Sequence, residues 1–145
     1  MKMKTKVLRG ALLKETADCI VQEALQSAGE EGWIGLVLPA LTGERLAQCD
    51  EGVVFEDAPL GIVTIAPKGV GATVGPMIMG IHIRPSERGR GYGTSLLAAA
   101  VRRCIERGFS RVHVDAMSPA MLRCTRKLPE ELRQCLEVTD WSQLF

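Results

Sequence analysis

Apolar positions in the first fifty residues recur at helical spacing, and beyond them at the spacing of strands. Leu13, Ala17, Ile20, Val21, Ala24 and Leu25 mark one face of an amphipathic helix from about residue 11 to 27, which Gly29 and Gly32 then end. A shorter helix is expected from Leu41 to Cys49, so the first half reads as helical with one interruption. The pattern then changes. Residues 52–56 and 60–66 read as strands with Asp57, Ala58 and Pro59 turning between them, and the glycine-rich 67–75 stretch reads as a loop. Residues 77–83 follow as a strand that is apolar almost throughout, which predicts burial on both faces.

From Ile81 to Leu97 the chain passes from strand to helix through Gly89, Gly91 and Gly93. Leu96, Leu97, Ala100, Val101, Cys104 and Ile105 share one helical face, with Arg102, Arg103, Glu106 and Arg107 on the other and Gly108 as the terminating glycine. Such a turn presents backbone N–H groups at a helix N-terminus, where donors and dipole both favour an anion, particularly a phosphate. Arg84, Arg88 and Arg90 add cations around it. The glycine spacing is neither that of a Walker A loop nor that of a dinucleotide fingerprint. Residues 111–116 then alternate as a strand, and Ser118 and Pro119 open a helix carrying Met121, Leu122, Cys124 and Leu128.

Composition narrows the function classes. The 145 residues fit a single domain spanning 1–145, and 46% hydrophobic with 24% charged residues excludes a disordered chain. A net charge of +1 gives no bulk attraction to nucleic acid or to a membrane surface. The Arg-Gly-Arg-Gly-Tyr-Gly run is single and lies between a strand and a helix, unlike the repeated tracts that bind RNA. No long apolar stretch follows the basic opening residues, so neither a secretory signal nor a membrane span is expected, and the expected location is the cytoplasm. Five cysteines without a Cys-x-x-Cys pair, and only two histidines, His82 and His113, argue for reduced thiols and against a metal site.

The strand, the turn with Arg88, Gly91 and Gly93, and the helix with Leu96 and Leu97 together resemble the Arg/Gln-x-x-Gly-x-Gly/Ala signature of the GNAT acetyltransferases, convincingly from about Met77 to Leu128. The resemblance implies an α/β (α+β) acyl-CoA N-acyltransferase fold: a central mixed, mostly antiparallel sheet flanked by helices. It implies acetyl-CoA as co-substrate, no metal, and direct attack of a primary amine of a small molecule or peptide on the thioester. By the same resemblance the backbone of Ile81, His82 and Ile83 borders the pantetheine arm. The turn through Arg88, Gly89, Arg90, Gly91, Tyr92, Gly93 and Thr94 holds the pyrophosphate, with Ser118 at the start of the following helix. A strand N–H near Ile81 or Ile83 would polarise the thioester carbonyl. Tyr92 is expected to flank CoA or stack on the sheet.

The chain also departs from the family pattern. Where many members carry Asn, a Tyr seven residues on and then Gly-Phe, this sequence has Ser118, Thr125, Pro129 and Glu130. The tyrosine acid is absent, which leaves Thr125, Cys124 or water; a thiol of pKa about 8.5 leaves tolerably without an acid. Family positions for a base hold Met77 and Met79 on one strand and His113 on the next. His113 is read either as the base or as a packed or solvated residue, and His82 as a residue on the face opposite Ile81 and Ile83. Glu56 and Asp57 would attract a cationic amine or simply solvate a strand end. Only 17 residues follow Leu128. One strand over 133–138 is expected, 141–145 is too short for a partner, and the shortened edge points to a homodimer. The first forty residues, including Trp33, are expected to shape acceptor choice. Two functions stay open: an N-acetyltransferase, or a catalytically weak CoA-binding sensor or interaction module.

Overall fold

The computed structural model describes residues 4–26, 41–57 and 60–142. Gly29, Gly32, Trp33, residues 58–59 of the expected turn and residues 143–145 lie outside these, as does the side chain of Ala24. Among the described residues six strands lie side by side in chain order: β1 (Thr5–Leu8), β2 (Glu51–Phe55), β3 (Gly61–Ala66), β4 (Met77–Ile83), β5 (Val112–Ala116) and β6 (Leu136–Asp140). Pairings from β1 through β4 are antiparallel, whereas β4 with β5 and β5 with β6 are parallel. The sheet is therefore mixed and mostly antiparallel, as expected.

Helices cover both faces. On one, α1 (Gly10–Gln26) lays Leu13, Ala17, Ile20 and Val21 over Leu8, Val54 and Ile62, and Leu41 joins them. Burying each large apolar side chain there is worth about 1.5–3 kcal/mol. Leu25 is half exposed, so the apolar stripe ends a turn before the helix does. The short α2 (Gly43–Ala47) lies within the expected 41–49 helix. On the other face, α3 (Tyr92–Glu106) packs Leu96, Leu97, Ala100, Val101 and Cys104 against Val53, Phe55, Val63, Ile65 and Ile78. Ile105 is instead exposed, which makes that stripe narrower than the sequence suggests. The smaller α4 (Pro119–Lys127) and α5 (Glu130–Arg133) add Met121, Leu128 and Leu132 to this core. Among the described residues no helix is long and apolar enough to cross a membrane.

Two sequence expectations need correction. The first half is not only helical: β1 precedes α1 and pairs with β2 from Thr5 opposite Phe55 to Leu8 opposite Gly52. Its four residues include Lys6 and bury only Leu8, so an edge strand of this length leaves no alternating pattern to read. The C-terminal strand begins three residues later than expected. Pro129 starts the helical turn α5, with Glu130 and Glu131 suited to its positive end, and Arg133 belongs to that turn. β6 then runs parallel to β5, its outer residues exposed.

Candidate functional site

β4 and β5 begin together and then part. Their ladder holds only Met77 with His113 and Ile78 with Val114, while β5 keeps β6 beside it over all five residues. The separation starts where β4 bulges. Pairing with β3 shifts between Val63 and Ile65, so that Met79 and Gly80 together face Thr64. A bulge of one extra residue bends its strand and increases the local twist. It also resets alternation: Ile78, Ile81 and Ile83 all meet the α3 core, although the first two are an odd three positions apart. The main-chain N–H of Arg84 donates to the Leu60 carbonyl at 2.8 Å. Alternation of the antiparallel ladder therefore turns the N–H and C=O of His82 toward β3, and those of Ile81 and Ile83 toward the gap.

Helices start at the open ends of both strands. Beyond β4, a 3-10 turn (Pro85–Glu87) leads into α3 through Gly89 and Gly91, both at φ 82°. Gly91 caps α3 in the left-handed region, a conformation that costs other residues about 1–2 kcal/mol. The N–H groups of Tyr92, Gly93 and Thr94 have no acceptor within the helix, whose first internal bond runs from Ser95 to the Gly91 carbonyl at 3.2 Å. A Cβ on Gly93 would stand 3.3 Å from the Cys124 sulfur, so the glycine also lets α4 approach α3 closely. Arg88, Gly89, Arg90 and Gly91 are all exposed. Arg88 Nε donates to the Ile83 carbonyl at 3.1 Å, tying the turn to the strand it leaves, and Arg90 lies 3.4 Å from Glu87. Beyond β5, Ser118 caps α4, its hydroxyl oxygen accepting the Met121 N–H at 3.1 Å. Two positive helix ends thus flank one widening gap.

The other expected site residues are distributed around it. Tyr92 stacks edge-on against Phe55, with centroids 5.6 Å apart, so its ring belongs to the α3 packing. His82 sits on the opposite sheet face, beside Ile62, and only 8% of it is exposed. Burial first, then the charges of Arg88 and Arg84, push its pKa down to about 4, so the ring is neutral near pH 7. With its main chain committed to β3, His82 is the one member of the expected cofactor-binding set whose geometry turns it away from the gap. Met77 and Met79 are buried with Cys49 and Ala66 on that same face. His113 is half-buried on it too, directly across the ladder from Met77 and one step below the divergence. Thr125 is buried in α4 and its hydroxyl donates to the Leu122 carbonyl at 2.6 Å. With Leu136 and Val138 it lines a groove on the β6 side, and its proton is already committed to the backbone. Glu56 and Asp57 are exposed at the end of β2. Among the described residues no cluster of three or more metal-ligating side chains occurs.

The model of the acetyltransferase (GNAT) family matches residues 21–128, nearly three-quarters of the chain and the whole of the gap just described. The chain belongs to the GNAT acetyltransferase family. No curated protein matches it. Solved structures share the fold at low identity. A GNAT-family N-acetyltransferase from Escherichia coli, in complex with CoA, has a TM-score of 0.54 at 14% identity, covering 97% of this chain and 91% of that one. An N-acetyltransferase from Ralstonia eutropha JMP134 gives 0.52 at 19%, covering 86% and 90%. The ribosomal-protein-alanine N-acetyltransferase of Brucella melitensis biovar Abortus 2308 gives 0.51 at 18%, covering 98% and 96%.

Two groups in this GNAT chain left no mark in the sequence. Glu51 is 2% exposed and accepts from Arg9 (2.7 Å), Arg103 (2.8 and 2.9 Å) and Arg107 (3.1 Å). Arg103 above all, then Arg9 and Arg107, hold its pKa down at about 2 against the opposing effect of burial. The partners come from the β1–α1 turn and the C-terminal half of α3, so only folding brings them to one point. The second is Glu137, which the parallel register of β6 sets directly opposite His113.

Proposed function

We propose that this GNAT protein transfers an acetyl group from acetyl-CoA to a primary amine of a small molecule or peptide. The observation that carries the reading is the gap itself: strand N–H groups on one side, two helix N-termini at its mouth, and a glycine turn open to solvent. Donors without intrahelical acceptors at Tyr92, Gly93 and Thr94 fit a pyrophosphate, and a turn that carries no side chain at Gly89 or Gly91 allows close approach. Arg88 and Arg90 supply charge around it, and the outward N–H and C=O of Ile81 and Ile83 suit the amide-bearing pantetheine arm. Ser118 keeps a hydroxyl proton to donate on the far side.

Bound acetyl-CoA would supply the activated thioester. The N–H of Ile81 or Ile83 would stabilise negative charge on its carbonyl oxygen. The amine nitrogen bonds to the acetyl carbon, the carbon–sulfur bond breaks, and the amine proton passes to His113 or to water. CoA departs as thiolate, which at a thiol pKa of about 8.5 needs no strong acid. That matters here, because Thr125 stands where family members carry tyrosine and its hydroxyl is occupied. Orienting two substrates supplies much of the rate in such a reaction.

Calorimetric titration of acetyl-CoA, with CoA release followed against a pooled amine library, tests the reading. Saturable binding with amine-dependent thiol release is expected. Absence of binding sinks it, and tight binding without release from any amine in the library favours the alternative of a CoA-sensing module.

A further inference from the structure

His113 and Glu137 occupy the second positions of neighbouring parallel strands and stand directly opposite each other. Val112, Val114 and Ala116 fill the α3 core, so alternation puts His113 on the other face, and the ladder puts Glu137 there with it. His113 Nδ1 lies 3.2 Å from Glu137 Oε2. The carboxylate is held from its far side as well: Arg111 Nε is 3.5 Å from Oε1. Arg111 is itself anchored, its Nη1 donating to the Gln134 carbonyl at 3.0 Å in the turn before β6. Beside the ring is an open groove of ≈ 350 Å³, lined by Val74, Pro76, Phe109 and Arg111 together with His113.

An ionised carboxylate only accepts hydrogen bonds. A hydrogen bond between the two takes its proton from Nδ1 of the neutral imidazole, which leaves the lone pair on Nε2. We propose that Glu137 is a positioning residue that fixes His113 in the Nδ1–H tautomer and so makes Nε2 the atom that takes the proton of the acceptor amine. This rests on the reading of His113 as the base. It adds the residue that orients it, drawn from a strand that follows the family match at residues 21–128. No other charged residue lies across the ladder from His113, because its β4 neighbour is Met77.

The tautomer can be read without knowing the acceptor. The chain has two histidines, so long-range 15N–1H spectra need only a His113→Asn variant for assignment. In its neutral form, the wild-type His113 ring is expected to carry its proton on Nδ1, and Glu137→Leu should move it toward the Nε2–H form. An Nε2–H ring in the wild type, or a ring unchanged by Glu137→Leu, overturns the proposal. With an acceptor from the amine library, Glu137→Leu should lower kcat about 10-fold, leave KM for acetyl-CoA unchanged, and have no further effect in His113→Ala. A kcat that falls in His113→Ala but not in Glu137→Leu overturns the positioning role alone. A kcat unchanged in His113→Ala overturns the base assignment and this inference with it, while binding and transfer stand.

Discussion

At the end of the sheet where β2 and β4 begin, the carboxylate of Glu51 is closed in by three arginines. At the other end, where β4 and β5 part, backbone donors and two helix N-termini face outward. One helix reaches both: α3 starts at the glycine turn and ends with Arg103 and Arg107 on Glu51. The contrast separates two uses of polar groups in one fold. Where charges satisfy one another inside the protein they join β1, β2 and α3. Where donors have no internal acceptor, they stay open toward the gap between β4 and β5.

The largest effect should come from opening the closed end. Glu51→Gln removes the buried charge that three guanidinium groups share, leaving Arg107 with Asp50 and Arg103 with Glu106, and is expected to cost about 3 kcal/mol in urea unfolding at pH 7, with acetyl-CoA affinity unchanged. A cost below 1 kcal/mol would mean that the cluster is a solvated surface feature.

Closing the open end comes next. Gly91→Val meets the left-handed φ of 82° and puts branched carbon atoms at the start of α3. Acetyl-CoA affinity by calorimetry should weaken about 100-fold, while stability falls by only about 1–2 kcal/mol. Unchanged affinity would remove this turn from the binding site.

The third test uses pH, and its sign follows from His82. Its pKa is about 4 in the folded chain against 6.5 for the free side chain. The unfolded chain therefore binds the extra proton first as pH falls. Stability from this group is fully present above pH 6.5 and declines toward pH 4, by about 3 kcal/mol over the window. A His82→Leu variant should show a flatter unfolding free energy between those limits. Glu51 acts lower, between its ordinary 4.5 and about 2, so its contribution is lost mainly below the His82 window. An equal slope in wild type and variant would mean that the ring is solvated.

The open end was legible in the sequence and the closed end was not. Arg88, Gly91 and Gly93 are close together in the chain, and so are the strand before them and the helix after, so local spacing was enough to name a glycine turn that ends at a helix N-terminus. The Ser118–Pro119 helix start was legible for the same reason, since a cap needs only its own first turn. Glu51 lies 42 residues from Arg9 and 52 from Arg103, and no local pattern connects them. β1 escaped because an edge strand of four residues with one buried position carries too little periodicity. The bulge at Met79 and Gly80 escaped because a strand apolar on both faces shows no break in alternation.

By itself the sequence determined the local conformations: glycines that permit a left-handed turn, a serine and a proline that start a helix, and apolar stripes that choose which face is buried. Tertiary structure decided what those conformations meet. The register of β6 against β5 gave His113 its carboxylate, the bulge opened β4 away from β5, and packing brought three arginines to one glutamate. The division has a physical reason. Backbone preferences and helix periodicity act within a few residues, whereas strand register and ion pairing depend on groups that only the folded chain brings within a few ångströms.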